Sequence, residues 1–87
     1  MASYELLFKK SVAKDLRKFP ARDVKRILVR IRSLADDPRP AGCEKLSGQE
    51  RYRVRQGIYR ILYEIEDAKL LVLVVKVGNR SNVYRGE

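Results

Sequence analysis

Arg51 to Asn79 reads RYRVRQGIYRILYEIEDAKLLVLVVKVGN. It opens on strict alternation, Tyr52 and Val54 on one side and Arg51, Arg53 and Arg55 on the other, the period-two pattern of a half-buried strand. Gln56 and Gly57 supply a turn. Tyr59, Ile61, Tyr63 and Ile65 then line one face of a second strand, with Arg60, Leu62 and Glu64 on its opposite face. Glu66, Asp67 and Ala68 make the next tight connection. Leu70 to Val77 is apolar on both faces, as a central strand covered on each side must be, and Gly78 and Asn79 break it. Tyr52, Tyr59 and Tyr63 share the apolar alternation and belong to the core.

Working outward toward the N-terminus, Pro38 to Gly48 holds two prolines and two glycines without periodicity and reads as a crossing loop, with Lys45 and Leu46 as possible anchors. Before it, Val24, Ile27, Leu28, Ile31 and Leu34 recur at helical spacing from about Ala21 to Ala35, closed by Asp36, Asp37 and Pro38. Ser11 stands where a helix N-cap would, and Val12, Leu16 and Phe19 give a first short helix that Pro20 interrupts. Tyr4, Leu6 and Phe8 alternate with polar neighbours as a short strand. On the far side, Arg80 to Tyr84 reads as an edge segment or tail. The order β-α-α-β-β-β predicts one α+β domain over residues 1–87, an antiparallel sheet with a helical hairpin on one face.

Composition narrows the chemistry. Twenty Lys and Arg against 11 Asp and Glu give +9 on 87 residues, the electrostatic footprint of a domain that meets nucleic acid or an acidic protein. There is no histidine, so Ser-His-Asp and Cys-His nucleophiles, His-ligated metals and paired-histidine ribonuclease chemistry are excluded. A single cysteine, Cys43, forms neither an internal disulfide nor a cysteine-based metal site. No cofactor or metal is expected. The longest apolar run, Leu70 to Val75, is too short for a bilayer, which leads to the expectation of a cytoplasmic protein without a membrane partner.

The sheet face opposite the core carries Arg51, Arg53 and Arg55, and Arg60 joins them if the turn register allows, with no carboxylate between Arg51 and Arg60. Like charges this close call for an anion, and the guanidinium fork matches phosphate oxygens. The alternative is a solvated face whose arginine stems lie on Leu62 and Val72. The second helix also carries Arg22, Lys25, Arg26, Arg30 and Arg32 away from its apolar stripe, either as an ordinary solvated face or as a second docking surface.

From Tyr52 to Arg85 the sequence YRVRQGIYRILYEIEDAKLLVLVVKVGNRSNVYR resembles the RelE/ParE superfamily of bacterial and archaeal toxins, RelE-type members in particular. Their pattern reads Y-R-(I/V)-(R/K)-x-G-x-Y-R-(I/L)-x-Y-E and later V-G-x-R-x-x-V-Y. YELLFKKSVAKDLRKFP, Tyr4 to Pro20, is similar too. The resemblance implies a microbial-ribonuclease-like fold and a toxin that enters the ribosomal A site and cleaves mRNA there. It further implies an acidic, RelB-like antitoxin that neutralises the toxin and through which the complex binds operator DNA.

Carried over, the RelE-type catalytic pattern falls on Arg53, Arg55, Arg60, Arg80 and Tyr84, with Arg51, Lys45, Lys76 and Arg85 as further RNA-binding residues. The implied chemistry is attack of a ribose 2′-hydroxyl on the adjacent phosphate, with arginines stabilising the charge that develops and Tyr84 stacking on a base. Where the best-known RelE pattern has lysines in the first hairpin strand this chain has Arg53 and Arg55, and an arginine is a poor general base. The base is left open between an arginine of the cluster, Lys45, Lys76, a ribosomal RNA group and purely electrostatic activation. Glu64 has the chemistry of a base but reads better as the ion-pair partner of an arginine. A ParE-type gyrase poison and a non-catalytic nucleic-acid-binding module are the alternatives on the same fold.

Overall fold

The computed structural model describes residues 3–46 and 51–79. The chain runs β1 (Glu5–Phe8), α1 (Lys10–Arg17), α2 (Ala21–Asp36), β2 (Glu44–Lys45), β3 (Arg51–Gln56), β4 (Tyr59–Glu66), a single 3-10 turn (Asp67–Lys69) and β5 (Leu71–Asn79). Both helices pack on one face of a five-stranded sheet of order β1-β5-β4-β3-β2. The α+β architecture agrees with the sequence reading.

Four details differ from that reading. First, the sheet is mixed: β1 lies parallel to β5, Glu5 opposite Leu71 through Phe8 opposite Val74, while the other neighbours are antiparallel. No local pattern encodes the sense of a pairing between the first strand and the last. Second, the crossing loop contains β2, two residues that extend the edge of β3. Third, Gly78 and Asn79 do not end β5, because Arg60 and Tyr59 of the neighbouring strand continue the ladder to them. Fourth, Ser11 is not an N-cap. The Lys9 N–H still donates to the Val74 carbonyl at 3.0 Å, so the strand passes directly into α1 with Lys9 in the capping position.

The helix-side core gathers Val12 of α1, Ile27, Ile31 and Leu34 of α2, and Tyr52, Val54, Tyr59, Ile61, Tyr63, Ile65, Val72, Val74 and Val77 of the sheet. Its three tyrosines are buried, and each hydroxyl reaches a polar partner, which offsets the desolvation of the phenol. Tyr59 donates to Asp23 at 2.7 Å and Tyr63 to the Pro38 carbonyl at 2.7 Å, while Tyr52 accepts from Arg39 Nε at 3.2 Å. These bonds tie α2 and the loop behind it to the strands that carry the arginines.

β1 ends at Phe8, leaving the outer edge of the rest of β5 without a neighbouring strand among the described residues. There the Val77 N–H donates to Asp15 Oδ2 of α1 at 3.2 Å. A strand donor at a sheet edge is thereby satisfied by a helix side chain instead of being offered to another chain.

Candidate active site

The β3–β4 hairpin closes on Gly57 and Ile58, with Gln56 already paired to Tyr59. Gly57 has φ +59°, the left-handed conformation at the first central position of a two-residue hairpin turn, which glycine adopts without a Cβ penalty. The turn therefore begins one residue later than the sequence reading placed it. Its register sets Arg55 directly opposite Arg60, Arg53 opposite Leu62 and Arg51 opposite Glu64, so all of these side chains share the face turned away from the helices.

The arginines are not equivalent. Arg60 is 5% exposed, the one charged residue among those described that is buried. Arg55 is exposed and makes no ion pair among the described residues. Arg51 Nη2 donates to Glu64 Oε2 at 3.0 Å, which fulfils the ion-pair reading of Glu64. Arg53 Nη2 lies 3.2 Å from Glu44 Oε2, a carboxylate supplied by β2. The expectation of arginines crowded without carboxylates is thus corrected for two of the four. The interleaved partner comes from a strand that the sequence reading treated as loop.

A β-bulge completes the face. The pairing steps from Leu62 opposite Lys76 to Tyr63 opposite Val74, leaving Val75 as the extra residue. Without it, strict alternation from Val72 and Val74 would send Lys76 into the core and Val77 outward. With it, Val77 is buried among the helices and Lys76 occupies the arginine side beside Leu62. Val75 packs with Leu62, against Leu46 and Leu73, in a small apolar floor on this face. The floor is Leu62 and Val75, not Leu62 and Val72; Val72 pairs with Ile65 on the helix side.

Of the remaining residues singled out in the sequence, Lys45 is opposite Tyr52, so its register places it on the helix side of the sheet, away from the arginines. Arg80, Tyr84 and Arg85 lie outside the described residues, as does the expected edge segment. Arg22, Lys25, Arg26 and Arg32 are exposed on α2.

Sequence reasoning missed a clasp on the helix side of the sheet. Arg39 grips Asp67 with two bonds, Nη1 to Oδ1 at 3.1 Å and Nη2 to Oδ2 at 2.9 Å, while Tyr4 donates to Asp67 Oδ1 at 2.7 Å. The same guanidinium lies 5.2 Å from the centre of the Tyr52 ring. Hydrogen bonds from Arg39, then from Tyr4, hold the Asp67 carboxyl below the usual carboxylate range, and Asp67 in turn raises the Tyr4 phenol. The clasp ties Arg39, in the segment that leads to β2, to Asp67 in the turn after β4. Its members are far apart in sequence and follow no periodicity, so no local signal marks them.

The arrangement can bind anions on guanidinium donors of graded accessibility, and the long span of β3 and β4 suits an extended anion better than a compact one. The sequence profile described as "ParE toxin of type II toxin-antitoxin system, parDE" matches residues 6–84. The chain belongs to the RelE/ParE toxin family. Toxin RelG of Mycobacterium tuberculosis is 29% identical to this toxin over 86 residues, covering 94% of this chain and 97% of RelG. Among solved structures, the RelBE2 toxin-antitoxin complex of M. tuberculosis superposes with a TM-score of 0.82 at 26% identity, over 93% of this chain and 95% of that one. The RelE-RelB complex of Pyrococcus horikoshii gives 0.81 at 27% identity, over 90% and 96%. This RelE/ParE-family toxin thus has the two-helix, mixed-sheet fold of RelE toxins, and both of those relatives were solved with an antitoxin. No helix among the described residues is long and apolar enough to cross a membrane.

Proposed function

We propose that this toxin is a ribosome-dependent mRNA interferase that cleaves message in the A site. The observation carrying this reading is the Arg55–Arg60 pair, two guanidiniums opposed on one face with Arg53 and Lys76 beside them. In the proposed reaction the ribose 2′-oxygen attacks the neighbouring phosphorus, the bond to the 5′-oxygen breaks, and the products are a 2′,3′-cyclic phosphate and a 5′-hydroxyl. Arg55 and Arg60 stabilise the charge that builds on the phosphoryl oxygens in the transition state. A lysine can act as a base where an arginine cannot, and we assign the 2′-hydroxyl proton to Lys76. The proton on the leaving 5′-oxygen comes from water. Arg80 and Arg85 extend the phosphate contacts, and Tyr84 stacks on a base of the bound codon. In-line geometry is rare in free RNA, so toxin and ribosome together supply orientation.

The partner that restrains it is an acidic, RelB-like antitoxin, favoured by the charge of +9 and by the RelB partners of the solved relatives. The toxin-antitoxin complex binds operator DNA through that antitoxin, and the toxin acts in the cytoplasm.

The test is primer extension on mRNA after brief induction of the toxin. Discrete cuts within translated codons are expected, absent from an untranslated copy of the same message. Intact message with arrested DNA supercoiling would replace this reading with the gyrase poisoning that the ParE branch of the family suggests.

A further inference from the structure

The two ion pairs on the arginine face differ from ordinary surface pairs in how burial is divided. The Arg53 side chain is 14% exposed and that of its partner Glu44 56%; for Arg51 and Glu64 the values are 28% and 42%. In each pair the cation is held in the sheet and the anion stands at the solvent side. Arg51 and Glu64 share one hydrogen bond, Nη2 to Oε2 at 3.0 Å, and Arg53 Nη2 lies 3.2 Å from Glu44 Oε2. Glu44 sits on a two-residue edge strand, where little backbone pairing resists its leaving. The one exposed arginine of the row, Arg55, has no such carboxylate among the described residues.

We propose that Glu44 and Glu64 are specificity-determining residues that compete with RNA phosphates for Arg53 and Arg51 and so hold the toxin off bulk RNA. This rests on the reading of the arginine face as the RNA site. A phosphate arriving at Arg53 must displace the Glu44 carboxylate, which returns to solvent and recruits a cation. The counterion released from the RNA is then largely cancelled by the one taken up, and the net gain at that position is small. At Arg55 no carboxylate among the described residues has to be displaced. A lone strand in solution therefore gains little beyond the Arg55 end, whereas message already ordered by the ribosome presents several phosphates at once and meets the cost of both exchanges together.

The experiment measures binding of a short, 2′-O-methylated single-stranded RNA, which cannot be cleaved, to the full chain across a salt series. Glu44→Gln and Glu64→Gln are expected each to tighten binding by about two- to fivefold, the worth of one partly exposed ion pair. Each is also expected to steepen the slope of log K against log salt by about 0.7, one added phosphate contact. Asp36→Asn makes the same change of charge at the exposed end of α2 and is expected to do neither. Glutamine variants that bind no more tightly than Asp36→Asn would overturn the proposal, since the gain would then be general electrostatics. A separate arm tests the underlying reading: if replacing Arg53 and Arg55 by Ala left RNA binding intact, the arginine face would not be the RNA site. Loss of binding there, with no gain in the glutamine variants, would sink the competition alone.

Discussion

Arg55 and Arg60 face each other directly across the β3–β4 hairpin, one exposed and the other buried. Two like charges at a cross-strand position destabilise a sheet, and the pair persists because the hairpin register is fixed from both ends. The difference in burial makes the two residues separable by mutation. Arg55→Ala is expected to lower cleavage on programmed ribosomes by about a hundredfold or more with thermal stability changed by no more than about 0.5 kcal/mol. Arg60→Ala is expected to lower activity similarly and also to cost about 1 to 3 kcal/mol, since it removes a buried group and strands its partners. Denaturant unfolding beside single-turnover cleavage checks both, and equal stability loss in the two variants would contradict the assignment.

Gly57 holds the register. Space around it is open, with nothing within 4 Å of the place a Cβ would take, so the penalty of a side chain is the positive φ alone. Gly57→Ala should destabilise by about 1 to 2 kcal/mol, and Gly57→Asn by less, because asparagine tolerates that conformation better. Urea midpoints measure the difference; an alanine variant as stable as the parent would mean that the turn has another geometry.

Lys76 tests the proton transfer. If its amine accepts the 2′-hydroxyl proton, Lys76→Arg keeps the charge but loses the base, and both Lys76→Arg and Lys76→Ala should fall by about a hundredfold or more. Retention of activity in Lys76→Arg alone would show that positive charge suffices, and the 2′-hydroxyl would then be activated electrostatically.

The pH dependence of stability follows from the tyrosines and the clasp. Asp67 has a depressed folded-state pKa, so the unfolded chain binds its proton first as pH falls; the stabilisation is present above about pH 4 and is lost as pH falls through the folded value. Burial pushes the Tyr63 phenol well above its ordinary value, so on the alkaline side the unfolded chain releases its proton first. Stability is therefore lost as pH rises past about 10. Asp67→Asn should flatten the acid limb and Tyr63→Phe the alkaline limb of a melting temperature profile. An acid limb unchanged in Asp67→Asn would place the controlling carboxylate elsewhere.

Much of this fold was legible because period-two alternation survives in β3 and β4. Tyr52, Tyr59 and Tyr63 fell on the core side, and Val24 to Leu34 marked α2 by the same kind of counting. That Glu64 pairs with an arginine was legible from charge; that the arginine is Arg51 follows from the hairpin register. What escaped was set by contacts distant in sequence. The extra residue at Val75 shifts Lys76 onto the arginine side, and an unbroken apolar run such as Leu70 to Val75 has no alternation in which a bulge can appear. Glu44 meets Arg53 through the β2–β3 pairing, on a two-residue strand that no periodicity marks. The parallel sense of β1 depends on a partner at the far end of the chain.

That parallel pairing has a consequence for how the molecule is made. β3, β4 and β5 are joined by short turns and can associate soon after synthesis, but β1 must wait for Leu71 to Val74 of β5 before it finds its neighbour. Closing so long a loop is entropically costly and slow compared with hairpin formation. Until it closes, α1 lacks β5, the strand against which its Asp15 bonds. A nascent chain still short of β5 therefore carries the arginines of β3 and β4 on an unfinished sheet, and β1 and α1 gain their place only after β5 has been made.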